Sequence, residues 1–387
     1  MIYQAPDLTI ADEQVLKVIS ELRQTLRFRL YSPRRWYGTL RRAAFVRAVQ
    51  GSNSIEGYHA SDEDVAAVIE EEEPMDTRDE TRQAIVGYRD AMTYAMQLAK
   101  TDHRIDRSVL LGLHFMIMKY RIQKNPGQWR PGSVWVEGDD GKIVYTAPDR
   151  ELVEQLVDET LEDVSQSTYP VMVTAAMAHL NLVMIHPWSH GNGRMARCLQ
   201  TLVLASDGIL DPVFSSIEEY LGRNTPSYYQ ALGSVHDGKW TPERDTRSWI
   251  EFCLTAHYRQ ARTLQRRIEQ HEALWGRCED LAAHHRLPDR VVGALSDAAR
   301  GRTLWRSLYV KVARHSTGDD ISDMTGTRDL LAMHRAGLLD AIGEKRGRRY
   351  RATPELREVW REITTQRPSL RVEDPYEAVA DRRPSGP

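Results

Sequence analysis

The spacing of apolar residues along the chain predicts helices over most of its length. Apolar side chains recur at three- to four-residue intervals in stretches such as Asp79 to Leu98 and Arg107 to Tyr120, as they do in amphipathic helices. The segment from Met172 to Ile185 is rich in Ala, Leu, Val and Met and predicts a buried helix. Trp249 to Leu281 predicts one long helix with alternating charges. We therefore expect a mainly α protein.

One region before the buried helix predicts a β-hairpin. It consists of a β-prone run, a Gly/Asp turn at 138–141 and a second β-prone run at 142–146. The first run contains Ser133, Val134, Trp135 and Val136. We therefore expect a small two-stranded element within the helical chain.

The loop between the predicted helices 172–185 and 195–204 carries the most informative residues of the chain. Its sequence is His186-Pro187-Trp188-Ser189-His190-Gly191-Asn192-Gly193-Arg194-Met195-Ala196-Arg197. Pro187 is a poor helix residue, and the glycines that follow let a ligand approach the backbone closely. The first amides of the next helix have no partner within it, and they attract phosphate groups. Arg194 and Arg197 are three positions apart on one helix face and can reach the same anion.

These residues closely resemble the signature of the Fic family, His-Pro-Phe-x-(Asp/Glu)-Gly-Asn-Gly-Arg-x-x-Arg. Members of that family transfer a nucleotide monophosphate, usually AMP from ATP, to a Ser, Thr or Tyr hydroxyl of a protein. The resemblance implies a Fic helical core in which His186 is the catalytic base and Trp188 packs the loop onto the core. It also implies ATP as substrate, with Arg197 nearest its γ-phosphate. The residues implied to bind the nucleotide are Gly191, Asn192, Gly193, Arg194 and Arg197.

His190 departs from the family pattern, which has a carboxylate for Mg²⁺ at this position. Imidazole is a poor ligand for that hard cation. Three alternatives remain open: the site uses a softer metal such as Mn²⁺, protonated His190 binds the pyrophosphate in place of a metal, or the protein binds nucleotide and transfers little. The Doc branch of the family, which phosphorylates its target, has Lys in place of the second glycine. Because Gly193 is present here, Doc is the weaker match.

An upstream segment resembles the inhibitory motif of the family, (Ser/Thr)-x-x-x-Glu-(Gly/Asn). Ser52 and Glu56 are four positions apart, hence on one face of a helix, and Gly57 suits a helix end. The resemblance implies that Glu56 contacts Arg197 and occupies the place of the γ-phosphate. The alternative is an ordinary solvated helix that carries a glutamate.

The hairpin predicted at 133–146 resembles the flap that covers the Fic active site. This resemblance implies that its exposed edge pairs with an extended segment of a protein target. We therefore expect the target to dock on Ser133, Val134, Trp135 and Val136. The alternative is a hairpin that only covers the core.

The C-terminal third has its own, more basic pattern. A helix capped at Ser322 is expected to end at 335–337, a strand to begin at 338–340, and a basic turn to return as a strand near Tyr350. This order resembles the winged-helix domains often joined to Fic proteins, so DNA is a candidate partner. The residues expected to contact DNA are Arg328, Lys345, Arg346, Arg348 and Arg349. The alternative is that this domain packs against the protein or a sister subunit and binds no DNA.

Composition limits the remaining possibilities. The 387 residues suffice for two or three domains, and the formal net charge of −3 favours neither nucleic acid nor membrane as a general partner. We find no signal peptide and no apolar run that could span a bilayer, so we expect no membrane association. The three cysteines are widely spaced and predict reduced thiols in the cytoplasm.

The patterns divide the chain into five expected segments. They are an N-terminal helical region with the inhibitory motif (1–78), a Fic core (79–215), a helical extension (216–285), a winged helix (286–353) and a C-terminal tail (354–387) whose charged, Pro-rich end we expect to be disordered.

We therefore expect a cytoplasmic protein adenylyltransferase that Glu56 holds inactive and whose activity depends on how His190 replaces the acidic metal ligand. The alternative is a nucleotide-sensing, DNA-binding regulator with a weak or inactive Fic core. A homodimer is compatible with either function. Transfer of labelled nucleotide to a protein separates the two alternatives, and salt-dependent binding to duplex DNA favours the second.

Overall fold

The computed structural model describes residues 1–387 apart from 32–34, 72–73, 75, 139, 206–207, 209–210, 319, 344–347, 366–373 and 381–387. Some of the predictions concern residues outside this described part of the chain. They are the turn residue Asp139, the DNA contacts of Lys345 and Arg346, and the disorder of the extreme C-terminus.

The described residues form mostly helices, which confirms the mainly α prediction. The helices are α1 (Ile10–Tyr31), α2 (Tyr37–Ile55), α3 (Asp62–Ile69), α4 (Asp79–Leu98), α5 (Arg107–Met118), α6 (Val153–Gln166), α7 (Val171–Ile185), α8 (Asn192–Ala205), α9 (Pro212–Ser215), α10 (Glu218–Arg223), α11 (Thr225–Gly233), α12 (Arg247–His284), α13 (Val292–Ala299), α14 (Arg306–Thr317), α15 (Asp323–Arg335), α16 (Pro354–Thr365) and α17 (Pro375–Ala380). The strands are β1 (Trp135–Glu137), β2 (Ile143–Thr146), β3 (Leu339–Ile342) and β4 (Arg349–Ala352). The chain divides into two compact units, Met1–Arg27 with Phe45–Ala261 and Glu373–Pro387, and Phe28–Ala44 with Arg262–Val372.

Helices α7 and α8 form the centre of the first unit and pack against each other, with α4, α5 and α6 around them. Apolar residues occupy every side of α7, and all of its residues except Val171 and Val183 are buried. Burial of each large apolar side chain stabilises the fold by roughly 1.5–3 kcal/mol. The prediction of a buried helix over 172–185 is confirmed, and this pair of helices fixes both ends of the loop between them.

The predicted hairpin at 133–146 is present in the first unit. Strands β1 and β2 are antiparallel, Trp135 pairs with Thr146, and the register shifts between Val136 and Glu137. The amide of Thr146 donates a hydrogen bond to the carbonyl of Gly238 at 2.9 Å. The outer edge of β2 therefore has a partner, and β1 forms the free edge of this two-stranded sheet within the described residues.

The second unit contains the helices and the hairpin that the sequence predicts for the C-terminal third. The Ser322 side chain caps α15, and that helix ends at Arg335 before Gly337, which has φ +74°. Strands β3 and β4 pair antiparallel, and Leu304 forms a short bridge to Tyr350. The order of elements agrees with the sequence, and the winged-helix fold itself remains a prediction.

Pro226 is compatible with the start of a helix. A helix break is the usual effect of proline, but Pro226 lies in the first turn of α11. Its missing N–H is not needed there, because the first amides of a helix have no intrahelical acceptor. Helix α5 also ends at Met118, two residues before the predicted end.

In the part of the chain that the structure describes, no helix has the length and apolar character needed to span a membrane. Cys198, Cys253 and Cys278 are buried and form no disulfide.

Candidate active site at the start of helix α8

The loop between α7 and α8 is a sharp turn produced by its own sequence. Helix α7 is followed by His186, which adopts the left-handed conformation (φ 52°, ψ 56°), and Pro187 prevents further helix. Gly191 has φ +81°, a conformation that residues with a Cβ rarely adopt. Helix α8 begins at Asn192 with its first amides directed into the loop. The turn therefore places a helix N-terminus beside His186.

The side chain of Asn192 closes this loop. Its Oδ1 accepts a hydrogen bond from the amide of Trp188 at 3.0 Å, and its Nδ2 donates to the carbonyl of Trp188 at 2.7 Å. Both ends of the amide group are therefore bonded within the loop. The side chain of Asn192 shapes the turn, and the implied phosphate contact of this residue stays a prediction.

Trp188 anchors the loop to the core, as the sequence predicts. It is buried and stacks on His114, with ring centroids 4.6 Å apart. The amide of Gly127 donates to Nδ1 of His114 at 2.9 Å, so Nε2 carries the proton and donates to the carbonyl of His190 at 3.0 Å. Burial lowers the pKa of His114 to about 4, which keeps the ring neutral. The role of His114 could not be predicted from the sequence, because a single histidine in an apolar helix gives no specific signal.

The ring of His186 has the tautomer that a general base requires. Its Nδ1 lies 3.1 Å from the carbonyl of Val183. A carbonyl only accepts, so Nδ1 carries the proton and Nε2 keeps its lone pair. Burial lowers the pKa of His186 to about 4, so the ring is neutral at pH 7. His186 can therefore accept a proton at Nε2.

Arg197 joins α8 to the end of α2. Its Nε donates to Oγ of Ser52 at 2.8 Å, and its Nη2 donates to the carbonyl of Ser52 at 3.0 Å and to Oε1 of Glu56 at 2.7 Å. Arg197 is 1% exposed. Burial alone would raise the pKa of Glu56, but Arg197 and Arg194 outweigh it and lower that pKa. The contact implied between Glu56 and Arg197 is present, and Gly57 follows with φ +82°.

Arg194 lies in an aromatic and sulfur-containing environment on the same turn of α8. Its Nη2 is 3.0 Å from Sδ of Met118 and 3.3 Å from the hydroxyl of Tyr120. Its guanidinium lies 5.1 Å from the ring centroid of Tyr58. The hydroxyl of Tyr120 in turn donates to that of Tyr58 at 2.9 Å. Among the residues that the structure describes, no carboxylate bonds to this buried cation beside the loop.

Three buried guanidinium atoms at this site lack an acceptor. Nε and Nη1 of Arg194 and Nη1 of Arg197 have no hydrogen-bond partner among the residues that the structure describes. An unsatisfied buried donor costs about 1–3 kcal/mol, and more when it is charged. Such donors beside the first amides of a helix are suited to a multiply charged anion.

Glu56 also lies close to the backbone of α8 at Gly193. A Cβ built on Gly193 would overlap Oε1 of Glu56 and would lie 3.0 Å from Nη1 of Arg197. A residue larger than glycine would therefore displace the carboxylate. The sequence predicts that a ligand approaches the backbone at this glycine, and in the structure the Glu56 side chain occupies that space.

The segment that carries Glu56 is held on its other side by α10. A Cβ on Gly51 would lie 2.6 Å from the carbonyl oxygen of Glu218, and one on Gly222 would lie 2.6 Å from Cα of Gly51. The buried carboxylate of Glu218 accepts hydrogen bonds from the hydroxyls of Tyr88 at 2.7 Å and Thr201 at 3.0 Å. Close backbone contact therefore fixes the end of α2, and sequence spacing gave no sign of this contact.

A cavity of about 670 Å³ lies between the start of α8 and the hairpin. Its walls include Glu56, His186, Gly193 and Arg197 on one side and Val136 and Val144 on the other. Ser133 and Trp135 are exposed and Val134 and Val136 are half-buried, so the predicted docking strand lies at the rim of the cavity. The structure thus brings together at one cavity the predicted base, Arg197, Glu56 and the hairpin. Arg194 lies on the same turn of α8, against Met118, Tyr120 and Tyr58.

His190 lies at the outer side of the loop with an exposed side chain. Partial burial and the nearby cations Lys124, Arg121 and Arg194 lower its pKa. Within the described ranges, no three His, Cys, Asp or Glu side chains are placed to share a metal ion. A hard cation needs oxygen ligands, which a histidine among cations does not offer. These residues do not fit the Mg²⁺ that the resemblance implies.

Arg328 and Arg348, predicted to contact DNA, are exposed in the second unit. The guanidinium of Arg349 lies 5.1 Å from the ring centroid of Trp305.

Comparison with known proteins gives the site a family context. The family model described as "Fic/DOC family" matches residues 104–204. The chain is 31% identical over 147 residues to protein adenylyltransferase fic-1 of Caenorhabditis briggsae, covering 38% of this chain and 27% of that protein. It is 29% identical over 211 residues to protein adenylyltransferase Fic of Drosophila melanogaster, covering 53% and 41%. The chain thus spans well under half the length of these curated relatives.

Solved structures support the fold. A Fic family protein from Desulfovibrio desulfuricans G20 aligns with a TM-score of 0.59 and 22% identity, covering 91% of this chain and 99% of that chain. Fic-1 from C. elegans aligns with a TM-score of 0.50 and 20% identity, covering 67% and 72%.

Proposed function

Because this chain carries a Fic/DOC domain at residues 104–204, we propose that it transfers AMP from ATP to a Ser, Thr or Tyr hydroxyl of a protein. The observation that carries the proposal is the set of buried N–H donors on Arg194 and Arg197 that lack acceptors within the described residues, in the first turns of the helix that follows the His186 loop. His186 itself keeps a lone pair at Nε2. The arginine donors suit the phosphates of ATP, and Nε2 of His186 suits the proton of the target hydroxyl. The names of the relatives at about 30% identity support the same reaction.

In the proposed reaction the target hydroxyl oxygen forms a bond to the α-phosphorus of ATP. The bond from that phosphorus to the bridging oxygen breaks, and pyrophosphate leaves with the electron pair. The hydroxyl proton moves to Nε2 of His186. A general base of this kind contributes roughly a hundred- to ten-thousand-fold to the rate.

The triphosphate would lie over the start of α8. The amides at Gly191 and Gly193 and the guanidinium groups of Arg194 and Arg197 provide a concentrated positive potential. Charge-assisted hydrogen bonds from arginine are about twice as strong as neutral ones, and the arginines need such an acceptor because part of each is unsatisfied.

Glu56 would inhibit by occupying the position of the terminal phosphate. Its carboxylate accepts a hydrogen bond from Arg197 and fills the space above Gly193. An anionic phosphate would have to displace it and would be repelled by it. The two hydrogen bonds from Arg197 to Ser52 do not involve Glu56, so we propose that they keep the arginine in place when Glu56 leaves.

The metal dependence of the reaction follows from His190. The residues around His190 do not fit Mg²⁺, so we propose that this chain transfers AMP poorly with Mg²⁺. We propose that Mn²⁺, or a basic side chain in place of a metal, supports the transfer better. Protonated His190 would contact the pyrophosphate directly, although its lowered pKa disfavours that form at neutral pH.

The free edge of β1 is the proposed docking strand for the protein target. Trp135 is 53% exposed at that edge, and Val136 reaches the cavity wall. Backbone pairing with an extended segment would satisfy edge amides and carbonyls regardless of the target sequence.

Further proposals concern partners and location. Exposed Arg328 and Arg348, with Arg349 stacked on Trp305, support DNA as a secondary partner through phosphate contacts. A homodimer and a cytoplasmic location also remain proposals, and the free buried cysteines are compatible with that location.

The experiment that tests the function is transfer of label from α-labelled ATP by the Glu56→Gly variant, with Mg²⁺ and with Mn²⁺. We expect labelling of the variant itself or of an added target, and much less labelling by the wild-type chain. Glu71→Gly is the matched control, since Glu71 is also a turn residue, and it is 82% exposed on its side chain. No transfer by Glu56→Gly with either metal would contradict the proposal.

A further inference from the structure

Arg130 is a buried arginine, and the acceptors of its side chain within the described residues are backbone carbonyls. It is 1% exposed. Its Nε donates to the carbonyl of His186 at 3.0 Å, its Nη1 donates to that of Gly132 at 2.6 Å, and its Nη2 donates to that of Pro148. Its own amide donates to the carbonyl of Pro187 at 2.9 Å. One side chain thus reaches the catalytic loop and both ends of the hairpin.

We propose that Arg130 is a positioning residue that holds the backbone of His186 and the two ends of the hairpin β1–β2 in one fixed arrangement. The inference rests on the proposed function, because the arrangement matters when the hairpin presents a hydroxyl to Nε2 of His186. Arg130 does not touch the reacting atoms, and it acts through the residues that do.

The geometry gives this role a physical basis. His186 has φ 52°, and a residue with a Cβ adopts that conformation at a cost of order 1–3 kcal/mol unless its surroundings enforce it. The Nε of Arg130 bonds the carbonyl of this strained residue. Gly132 and Pro148 lie just before β1 and just after β2. The guanidinium group is a rigid planar fork, so it fixes the distances among the three carbonyls.

Lysine cannot replace the fork. Its ammonium is a single point with three donors on a flexible stem, and it cannot keep three separated carbonyls in register. The hairpin has a second attachment, since the hydroxyl of Tyr145 donates to the carbonyl of Met184 at 2.8 Å. Loss of Arg130 should therefore loosen the base of the hairpin without detaching it from α7.

The charge of Arg130 also acts on His186. The charged and titratable groups that influence His186 are Arg130 and His190, which lower its pKa, and Glu56, which raises it. Around Arg130 itself lie Arg150, Asp149, Glu151 and Tyr145. A neutral side chain at position 130 should raise the pKa of His186, whereas lysine should keep it low.

The test compares Arg130→Met and Arg130→Lys in the full chain carrying Glu56→Gly. The matched control is Arg150→Met, which removes a nearby arginine. Arg150 forms an ion pair with Glu154 at 3.6 Å and, in the described part of the chain, makes no hydrogen bond to His186. Three measurements are made: NMR titration of the ring for the pKa of His186, hydrogen exchange of the hairpin amides, and steady-state kinetics of transfer for kcat and KM.

For Arg130→Met we expect the pKa of His186 to rise by roughly half to one unit. We expect faster exchange at β1 and β2 and a kcat lower by roughly a hundredfold, because small misplacements of a catalytic group have effects of that size. The KM for ATP should stay within about threefold. Arg130→Lys should keep the low pKa of His186 and still lose kcat by roughly tenfold or more. Arg150→Met should resemble the parent in all three.

Unchanged pKa, hairpin exchange and kcat in a folded Arg130→Met variant would overturn the proposal. If Arg130→Met does not fold, Arg130→Lys decides: hairpin exchange and kcat equal to those of the parent would overturn it. The NMR and exchange measurements do not require transfer. If the Glu56→Gly parent is inactive, the proposed function is refuted. The NMR titration and the hydrogen exchange still test whether Arg130 positions His186 and the hairpin.

Discussion

The carboxylate of Glu56 accepts a hydrogen bond from Nη2 of Arg197 at 2.7 Å, across 141 positions of sequence. The arginine is almost fully buried, and the glutamate side chain is 25% exposed at the edge of the cavity. The pair is therefore asymmetric. Arg197 is fixed by Ser52 on its inner side, whereas Glu56 can leave toward solvent. This asymmetry is what an inhibitory contact requires, because the ligand-binding partner stays in place when the inhibitor leaves.

Removing Glu56 should strengthen ATP binding. The charge-assisted contact with Arg197 is worth roughly 1.5–3 kcal/mol, so Glu56→Gly should lower the Kd for ATP by roughly ten- to a hundredfold. Isothermal calorimetry on wild type and variant measures this directly. Glu71→Gly should leave the Kd unchanged, and an equal Kd for wild type and Glu56→Gly would mean that Glu56 does not compete with phosphate.

Gly51→Ala should weaken the inhibition from a distance. The added methyl would lie 2.6 Å from the carbonyl oxygen of Glu218 and 2.9 Å from Cα of Glu219, so α2 must move. Overpacking of this kind destabilises by about 1–3 kcal/mol. We expect a lower free energy of unfolding and more self-labelling than wild type.

Gly112→Ala is the control for this variant, because a Cβ on Gly112 meets no atom within 4 Å in the middle of α5. It should stabilise the chain slightly, by roughly 0.5–1 kcal/mol, and leave labelling unchanged. If Gly51→Ala labels itself only as much as the wild type does, the inhibition by Glu56 does not depend on the packing of α2 against α10.

Sequence patterns predicted the helices and the loop well because both are local. The apolar residues on all sides of α7 require burial, and Pro187 and Gly191 require a turn. The contact of Glu56 with Arg197 followed from a motif resemblance. The roles of His114, Arg130 and Glu218 could not be predicted, because each depends on groups far away in sequence and no spacing rule connects them. The bonding of both ends of the Asn192 side chain to Trp188 could likewise not be predicted, because it depends on how the loop closes on itself.

Stability should fall as the pH is lowered from about 6.5 toward 4. Burial lowers the pKa of His114 and His186 to about 4 and that of His179 and His257 to about 3. Their ordinary pKa is near 6.5, so between these values the unfolded chain binds more protons than the folded one, and the free energy of unfolding rises with pH. Each histidine contributes up to about 1.4 kcal/mol per pH unit.

Urea unfolding at pH 7 and pH 5 measures this effect. Replacing buried His257 by leucine should reduce the difference between the two pH values, whereas replacing exposed His103 by glutamine should not. A free energy of unfolding that is equal at both pH values would contradict the burial of neutral histidines.

A carboxylate in place of His190 should create a preference for Mg²⁺. In the Glu56→Gly background we expect poor transfer with Mg²⁺, and His190→Asp should raise Mg²⁺-dependent transfer at least tenfold because it provides an oxygen ligand. Calorimetry should also find that Mg²⁺ strengthens ATP binding to His190→Asp more than to its parent. His190→Asn, which lacks the charge, is the control. Equal Mg²⁺-dependent transfer by the parent and His190→Asp would refute this account of the loop.

The central claim is that His186 takes the proton of the target hydroxyl while the start of α8 holds the phosphates. The most direct measurement compares Glu56→Gly with Glu56→Gly/His186→Ala for both AMP transfer and ATP affinity. The account predicts that transfer falls by roughly a hundred- to ten-thousand-fold while the Kd for ATP stays within about threefold. Transfer by the double variant at the rate of its parent would contradict it.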